Sequence, residues 1–290
     1  MIKKNKNLLL ILAFFSATFL LYSYHEKQET VLTNLYSTQA KLVAKQTGRL
    51  IAEQISSIKD ELHVLSESPE ILNAENNQKN CQIKILKTFQ HISDKVNNLG
   101  RTNSDGVFIC SANEKLIGQK AQTYGEFFEQ IKKDPLHADV LSRQFSPPQN
   151  SGLGSALHAA VVDKNFKGTV GAGIYFESLG NKFLKDVPFF KNGYITLLDD
   201  HGDILYNDDS WALGKKIWDA QIIERFDFNS EFIEQTRKSI EMNEKFNTIL
   251  KQKKNNFFDE KFLSAVLEPI NLLPNRRWII MVIIPFSDDE

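Results

Sequence analysis

An apolar run near the N-terminus constrains this chain more than any other feature. From Asn7 to Tyr24 about 18 residues carry almost no polarity, which is the length that a transmembrane helix needs. Lys3, Lys4 and Lys6 precede the run, and the positive-inside rule keeps such a cluster in the cytoplasm. The run ends in mostly bulky residues, Leu21, Tyr22 and Tyr24, instead of the small residues of a cleavage site, which favours an uncleaved anchor, although a cleaved signal peptide stays an alternative. The pattern predicts a chain that crosses the cytoplasmic membrane once and lies outside it from about His25 onward.

The balance of charge excludes one large class of partners. The 35 basic and 36 acidic residues leave a net charge of −1, which provides no positive surface for a nucleic-acid backbone. Apolar residues make up 42% of the chain, a proportion that supports packed cores rather than disorder. We therefore expect a folded protein that does not bind nucleic acid.

The sequence carries none of the short motifs that are typical of common enzymes. It has no Gly-x-Ser-x-Gly elbow, phosphate-binding loop, His-Glu-x-x-His pair or Gly-Gly-Asp-Glu-Phe signature. The triplet Asp199-Asp200-His201 has suitable metal ligands, but adjacent residues of a glycine-ended turn are expected to point apart, which favours a solvated turn. We expect no catalytic residue, no metal site and no cofactor.

A long helix is predicted directly after the apolar run. Between Gln28 and Ser66 there is no proline, and Gly48 is the one glycine. An apolar stripe follows this segment in alternating steps of four and three, as in the seam of a coiled coil. The stripe consists of Ile51, Ile55, Ile58, Leu62 and Leu65. It predicts either packing on the chain's own domain or a homodimer through this stalk helix, and both interpretations stay open.

After the stalk, short strands joined by tight turns occur in two successive units. The first unit is predicted to contain a helix over about Lys79–Asn98, a strand over Gly106–Ser111, a short helix over Gly125–Lys133, strands over Ser155–Val162 and Thr169–Phe176, and a helix over Glu177–Lys185. The second is predicted to contain strands over Gly193–Leu198, Asp203–Tyr206, Phe262–Pro269 and Trp278–Pro285, and a charged, helix-prone stretch over Ser230–Lys254. Because tight turns pair neighbouring strands antiparallel, both sheets should be antiparallel.

The order of these elements resembles the double Cache family of extracytoplasmic sensors, in which two PAS-like domains follow one long N-terminal helix. The resemblance covers nearly the whole chain. It rests on stretches that look like the family's aromatic pocket helix, its central hairpin with a returning helix, and its membrane-proximal domain. These stretches are Tyr124–Ile131, then Ser151–Asp163 with Gly168–Leu179, and finally Gly193–Tyr206 with Trp278–Pro285.

The resemblance implies an α+β fold with four parts. These are a cytoplasmic stub and transmembrane anchor over 1–24, the long stalk helix over 25–66, a membrane-distal Cache domain over 67–185 and a membrane-proximal Cache domain over 186–290. It also implies a periplasmic module of the bacterial inner membrane that senses a small molecule, for example in chemotaxis, and passes the signal through its helices.

The end of the chain departs from the family pattern. Family members usually continue into a second transmembrane helix and an output domain, whereas this chain ends at Glu290. We therefore expect a sensor without its own output domain, acting through a separate signalling partner. Two alternatives stay open: a membrane-anchored structural or assembly protein with a vestigial pocket, and a truncated sensor kinase, cyclase or chemoreceptor.

The resemblance also indicates where a ligand would bind. In the amino-acid-binding branch of the family, an arginine before the aromatic pair and an aspartate on the last pocket strand hold the ligand, and the matching positions here are Gly125 and Gly173. We therefore expect no standard amino-acid binding, but an aromatic-rich pocket whose one cation is Arg143. The predicted ligand-binding residues are Tyr124, Phe127, Phe128, Arg143, His158 and Tyr175. A surface position for Arg143 and a core or surface position for His158 stay open.

The two cysteines offer one further expectation. Cys81 lies near the start of a predicted helix and Cys110 on the first predicted strand of the same domain. Outside the membrane the compartment is oxidising, so we expect a disulfide between them, with two separate buried thiols as the alternative.

Overall fold

One long helix packs against two antiparallel sheets in the computed structural model of the protein. The structure describes residues 2–121, 126–135, 139–146, 152–185, 193–253, 260–274 and 276–286. The helices are α1 (Ile2–Ser66), α2 (Pro69–Leu72), α3 (Gln78–Ile92), α4 (Glu126–Lys133), α5 (Phe176–Phe183), α6 (Ala220–Phe226) and α7 (Ser230–Met242). The strands are β1 (Asn98–Thr102), β2 (Phe108–Ser111), β3 (Val140–Leu141), β4 (Gly154–Asp163), β5 (Asn165–Tyr175), β6 (Tyr194–Asp199), β7 (Ile204–Tyr206), β8 (Phe246–Lys253), β9 (Glu260–Leu273) and β10 (Arg276–Phe286).

The strands pair into two sheets of the same topology. Within the described residues the first sheet has the order β2-β1-β5-β4-β3 and the second the order β7-β6-β10-β9-β8. All neighbouring strands are antiparallel. We call the first sheet with α2–α5 the first domain, and the second sheet with α6 and α7 the second domain. The predicted α+β architecture with two antiparallel sheets is confirmed.

The apolar stripe of α1 is buried inside this chain. Ile51, Ile55, Ile58, Leu62 and Leu65 are each at most 2% exposed, and they belong to one core cluster with residues of both sheets. At Gly48 an added Cβ would lie 3.1 Å from Cγ1 of Ile270 on β9, so the missing side chain lets the helix approach the second sheet closely. The stripe is therefore not the seam of a homodimer, because the chain's own sheets already cover it.

The first part of α1 contains the predicted anchor. The backbone of residues 7–24 is helical. Within the residues that the structure describes, however, no helix combines enough length with enough apolarity to cross a membrane.

Two helices are shorter in the structure than the sequence pattern predicts. The helix predicted over Lys79–Asn98 ends at Ile92, and Asn98 begins β1, which the sequence analysis did not recognise. The helix-prone stretch over Ser230–Lys254 is helical only to Met242, because Asn243 takes a left-handed conformation (φ 57°) that ends α7. The chain after Asn243 forms β8, which pairs with β9 along its whole length.

The two domains share one continuous core. Phe176, the first residue of α5, packs edge-on against Trp278 of β10, with ring centroids 5.3 Å apart. Arg276 of β10 donates from Nε to the carbonyl oxygen of Leu141 on β3 at 3.3 Å, and from Nη1 to the carboxylate of Asp200 at 3.0 Å. The domains are therefore joined by apolar packing and by the partly buried guanidinium of Arg276.

Cys81 and Cys110 are joined by a disulfide in this structure. Their Cα atoms are 6.1 Å apart and they are separated by 29 positions in the sequence. The bond ties the start of α3 to β2 at the edge of the first sheet.

We expect this disulfide to form in the exported protein and to stabilise it. A closed loop of this length restricts the unfolded chain and should add about 3–4 kcal/mol to the free energy of unfolding. Thiol labelling under denaturing, non-reducing conditions should find no free cysteine, and urea unfolding should show the difference from the Cys81→Ala/Cys110→Ala variant. A reductant should leave that double variant unchanged. Labelling of both cysteines in the exported protein would contradict the prediction.

Candidate functional site

The outer face of the first sheet, which we define as the face turned away from α1, carries unusually small residues. The register places Gly100, Gly171 and His158 in one row across β1, β5 and β4. The next row contains Asn98, Gly173 and Ala156. Because glycine and alanine leave the backbone uncovered, this face forms a shallow floor on which another molecule can lie close to the sheet.

Neighbouring side chains already cover two of the three floor glycines. An added Cβ at Gly171 would lie 2.6 Å from Nδ1 of His158, so the imidazole lies directly over β5. At Gly100 an added Cβ would lie 2.8 Å from the ring of Phe108. Of the described residues, an added Cβ at Gly173 would meet only Asn98, whose Cβ lies 3.6 Å away. Within the described part of the chain, Gly173 is therefore the floor glycine that no neighbouring side chain covers, and it is half-buried.

A chain of buried polar groups crosses the floor next to His158. The hydroxyls of Thr102 and Thr169 lie 3.0 Å apart, and the Thr169 hydroxyl lies 3.4 Å from Nδ1 of His158. All three side chains are at most 7% exposed. Burial lowers the pKa of His158 to about 4, so the imidazole is neutral at physiological pH. A neutral ring with its Nδ1 unprotonated can accept a hydrogen bond from Thr169, which orients the imidazole.

Helix α4 lies over the outer face near the β4–β5 hairpin. Phe128 and Ile131 of α4 are buried, and the Phe128 ring meets Phe166 edge-on with centroids 5.5 Å apart. Tyr175 is half-buried at the other end of β5, where its N–H donates to Oδ1 of Asn97 at 2.9 Å. Burial raises the pKa of the Tyr175 phenol, which therefore remains a neutral hydrogen-bonding group.

The structure brings some of the predicted ligand-binding residues together. His158 and Tyr175 lie on the floor, and Phe128 lies in its cover. Arg143 is exposed and follows β3 at the edge of the sheet. Tyr124 and the side chain of Phe127 lie outside the described residues, as does Gly125. The binding role of this set stays a prediction.

The sequence analysis did not predict the floor residues of β1. It also did not predict that Thr102 and Thr169 form a line of hydrogen-bonding groups next to His158. Asn98 and Thr102 lie on β1, which contains Gly100 and Arg101 and so has a weak strand pattern. Thr169 was assigned to a strand, but not to the site. The alternation Thr169-Val170-Gly171-Ala172-Gly173, with both glycines on one face, is the signal that indicates an open floor.

Arg101 is an unexpected charged residue on β1, on the face of the sheet opposite the floor. Its side chain is 0% exposed, and none of its three guanidinium nitrogens has a hydrogen-bond partner in the described part of the chain. Burial lowers its pKa to about 10, and the nearby carboxylate of Glu75 opposes that shift. The cation lies in the core side of the sheet and not on the floor, because it pairs in register with Val170.

The triplet Asp199-Asp200-His201 does not have the side-chain arrangement that the sequence predicts for a solvated turn. Its possible ligand atoms lie within 4.8 Å of one another, so the side chains do not point apart. Oδ1 of Asp199 accepts hydrogen bonds from the backbone N–H groups of His201 and Asp203, at 2.8 and 2.9 Å. Asp200 is held by Arg276 and by His201. Burial nevertheless raises the pKa of Asp199, and the arrangement shapes the β6–β7 turn.

The corresponding face of the second sheet is filled. Large apolar side chains from β10 and from the α6–α7 region form a separate core there. They include Phe228, Phe232, Ile240, Ile279, Met281 and Ile283, each at most 4% exposed. Of the two outer faces, the described residues therefore leave an open floor only in the first domain.

Comparisons with known proteins identify this fold. No protein-family model and no curated protein sequence matches the chain. An extracellular ligand-binding receptor from Desulfohalobium retbaense superposes with a TM-score of 0.61 at 16% identity, covering 85% of this chain and 40% of the receptor chain. Methyl-accepting chemotaxis protein X superposes with a TM-score of 0.63 at 13% identity, covering 87% of this chain and 98% of its own.

A third likeness is to a structure that contains a ligand. The ligand-binding domain of the Pseudomonas aeruginosa amino acid chemoreceptor PctB, in complex with L-Gln, has a TM-score of 0.60 and 12% identity. The match covers 85% of this chain and 89% of that domain. These likenesses show the fold of Cache-type extracellular sensor domains, and the predicted resemblance is confirmed at that level.

We expect the buried neutral His158 to make stability depend on pH. Its pKa is about 4 in the folded chain and about 6.5 when unfolded, so the unfolded state binds more protons between these values. Stability should therefore fall as the pH falls through this window, by about 2 kcal/mol between roughly pH 7 and pH 5. Urea unfolding at both pH values should show a smaller loss for His158→Gln than for the natural chain. Equal losses of stability in the two proteins would contradict the assignment of the pH dependence to His158.

Proposed function

Because the chain has the double Cache fold, we propose that it is an extracytoplasmic sensor module that binds a small molecule on the floor of its first domain. The observation that carries the proposal is the backbone at Gly173, which no described side chain covers, next to Asn98, His158 and Tyr175. A domain that needed only to be stable would gain by filling this face with apolar side chains, as the second domain does. Sensor domains of this fold that are known to hold ligands support the same reading.

The contacts between the domains support signal transmission. Leu141 of β3 belongs to the first sheet, and its carbonyl oxygen accepts a hydrogen bond from Arg276 of the second domain. The α1 helix packs against both sheets through one core. A ligand that stabilises one conformation of the first sheet would therefore act on the second domain through two contacts, the hydrogen bond from Arg276 to Leu141 and the packing of α1.

The size of the side chain at position 173 should control ligand binding. Gly173→Ala adds only a Cβ in ordinary contact with Asn98, so it should retain binding. Gly173→Leu should fill the uncovered floor and weaken binding at least about tenfold, which is about 1.4 kcal/mol. A ligand found by thermal-shift screening of the purified chain should be titrated by calorimetry into both variants, with the melting temperature as the control for folding.

One result of this titration would contradict the proposal that the floor is the binding surface. If Gly173→Leu remained folded and bound the ligand as tightly as Gly173→Ala, the floor would not be the binding surface. If a broad screen of small molecules produced no binding at all, the sensor proposal itself would fail.

We further propose that residues 7–24 anchor the chain in the bacterial inner membrane, with the bulk of the protein in the periplasm. The proposal is supported by the apolar run, by the three lysines before it and by the similarity to the Desulfohalobium retbaense receptor, which is described as extracellular. Protease added to intact spheroplasts should digest the two domains, while a cytoplasmic control protein stays intact. Protection of the domains until the spheroplasts are lysed would reverse the proposed orientation.

A further inference from the structure

We propose that α1 pairs in parallel with α1 of a second copy of this chain, through an exposed apolar seam just outside the membrane. We define the exposed seam as Val31, Leu35 and Leu42. The inference rests on the proposed anchor, because two anchored chains enter the membrane from the same side and so present α1 in the same direction. It does not depend on whether the first domain binds a ligand.

Most of the exposed large apolar side chains among the described residues lie on α1. Five of the eight belong to this helix: Val31, Leu35, Leu42, Leu50 and Val64. The three residues of the exposed seam are 67%, 50% and 54% exposed, respectively. Because an α-helix advances about 100° per residue, these three lie within a sector of about 40° around the helix. A row of apolar side chains in water indicates a surface that contacts another molecule.

The exposed seam lies on the side of α1 opposite the chain's own sheets. In this part of the helix the core buries Ala40, Val43 and Ala44, none of which is more than 6% exposed. Ser37 lies on the same side and donates from Oγ to Oδ1 of Asn247 on β8 at 3.2 Å. A helix at the surface of a single chain needs one apolar face, whereas this part of α1 has two. The described residues bury one of these faces and leave the other in water.

The spacing of the exposed seam is that of a parallel two-stranded coiled coil. Steps of four, three and four lead from Val31 to Leu35, Thr38 and Leu42, which are alternate d and a positions of a heptad. Thr38 is exposed, as the other three are. When identical helices meet at the same a and d positions, the contact is two-fold symmetric and each residue faces its own copy. The occupant that this pattern fits is therefore a second copy of the chain.

The heptad register continues into the apolar run of the sequence. Steps of three and four back from the exposed seam reach Gln28, Tyr24, Leu21, Ala17 and Phe14. Gln28 occupies an a position, where a single polar residue fixes the register of a coiled coil. The same side of one continuous helix therefore carries the pairing pattern from the proposed anchor into the stalk.

The residues beside the exposed seam do not place like charges opposite each other. In a parallel pair, each g position of one helix faces the following e position of the other. The pairs of this kind that the described residues form are Asn34 facing Gln39 and Lys41 facing Gln46. Each of these pairs can form a hydrogen bond, and neither is repulsive. The flanks of the seam are therefore compatible with a second copy.

The pairing should end after Leu42. The next a position is Arg49, whose Nε lies 2.6 Å from Oε1 of Glu53 on the same helix. Two arginines that faced each other at this position would repel, so the seam outside the membrane covers about 18 Å of helix. A contact of this length is weak between free chains, but anchoring both chains in one membrane raises their effective concentration.

Cysteine cross-linking in membranes tests the pairing. Cys81 and Cys110 are joined to each other, so an introduced cysteine is the one free thiol of the chain. Leu35→Cys and Leu42→Cys in the full chain, oxidised mildly in isolated membranes, should each give a product of twice the mass of the chain. Lys41→Cys is also exposed, but it lies about 100° around the helix from Leu42 and should give at least about tenfold less product.

A charge on the exposed seam gives a second readout. Leu35→Glu and Leu42→Glu would each place a carboxylate against its own copy without a counter-charge. The dissociation constant of the dimer, measured by sedimentation of the full chain in detergent, should therefore rise at least about tenfold. Leu50→Glu makes the same change at an exposed leucine of α1 outside the seam and should leave that constant unchanged. The melting temperature of each variant is the control for folding.

Each result supports or overturns the pairing. A product of twice the mass from both seam cysteines, with little from Lys41→Cys, would support it. Absence of this product from a chain that sediments with the membranes would overturn the pairing and leave the anchor standing, and so would a product of another mass or equal products from all three cysteines. A chain absent from the membrane fraction would overturn both proposals. Seam variants that dimerise as tightly as Leu50→Glu would overturn the pairing.

Discussion

The fold depends on the burial of one apolar stripe along α1. The stripe is covered by residues of both sheets, so a single helix supplies part of the core of each domain. The core cluster that contains the stripe includes Val170 and Ala172 of the first sheet and Val282 and Ile284 of the second. The hydrophobic effect therefore holds both sheets against one helix.

The two domains repeat one topology but use their outer faces differently. In the second domain that face is closed by aromatic and aliphatic side chains, including Phe232 and Met281. In the first domain no described side chain covers it at Gly173, and the hydrogen-bonded side chains of Thr102, Thr169 and His158 replace apolar packing. Both faces can be stable, since buried polar groups that are hydrogen-bonded cost little, but among the described residues only the first face leaves backbone uncovered.

The elements that could be predicted are those whose local pattern of apolar and polar residues matches the buried and exposed positions that they occupy in the fold. The β4–β5 hairpin and the strands β6, β9 and β10 have continuous apolar or alternating sequences, and the analysis of the sequence located all of them. The strand β1 could not be located in this way, because Gly100 and Arg101 are unusual in a central strand and are explained only by their neighbours. Gly100 leaves space for the Phe108 ring, and Arg101 is buried beside the core without a described partner.

The same distinction applies to the site. The resemblance indicates Phe128 and the alternation of strand residues indicates His158 and Tyr175, and the structure places all three around one floor. Asn98 and Thr102 could not be assigned, since their position depends on pairing between β1 and β5, which are more than 60 residues apart in the sequence. The stripe of α1 was ambiguous for a similar reason: a heptad pattern specifies that a helix buries one face, but not whether its own chain or a second copy covers it.

The connection between floor and stalk follows from close packing. The residues of β5 alternate between the floor, at Gly171 and Gly173, and the core that holds α1, at Val170 and Ala172. A molecule on the floor therefore lies one sheet thickness from the helix, and no layer of solvent or loop separates them. Because a packed core transmits a displacement rather than absorbing it, any shift of β5 that a ligand stabilises must be accommodated by the α1 stripe. The stripe in turn is covered by the second sheet, so the helix that joins the two domains in one core is also the element through which we propose that they are coupled.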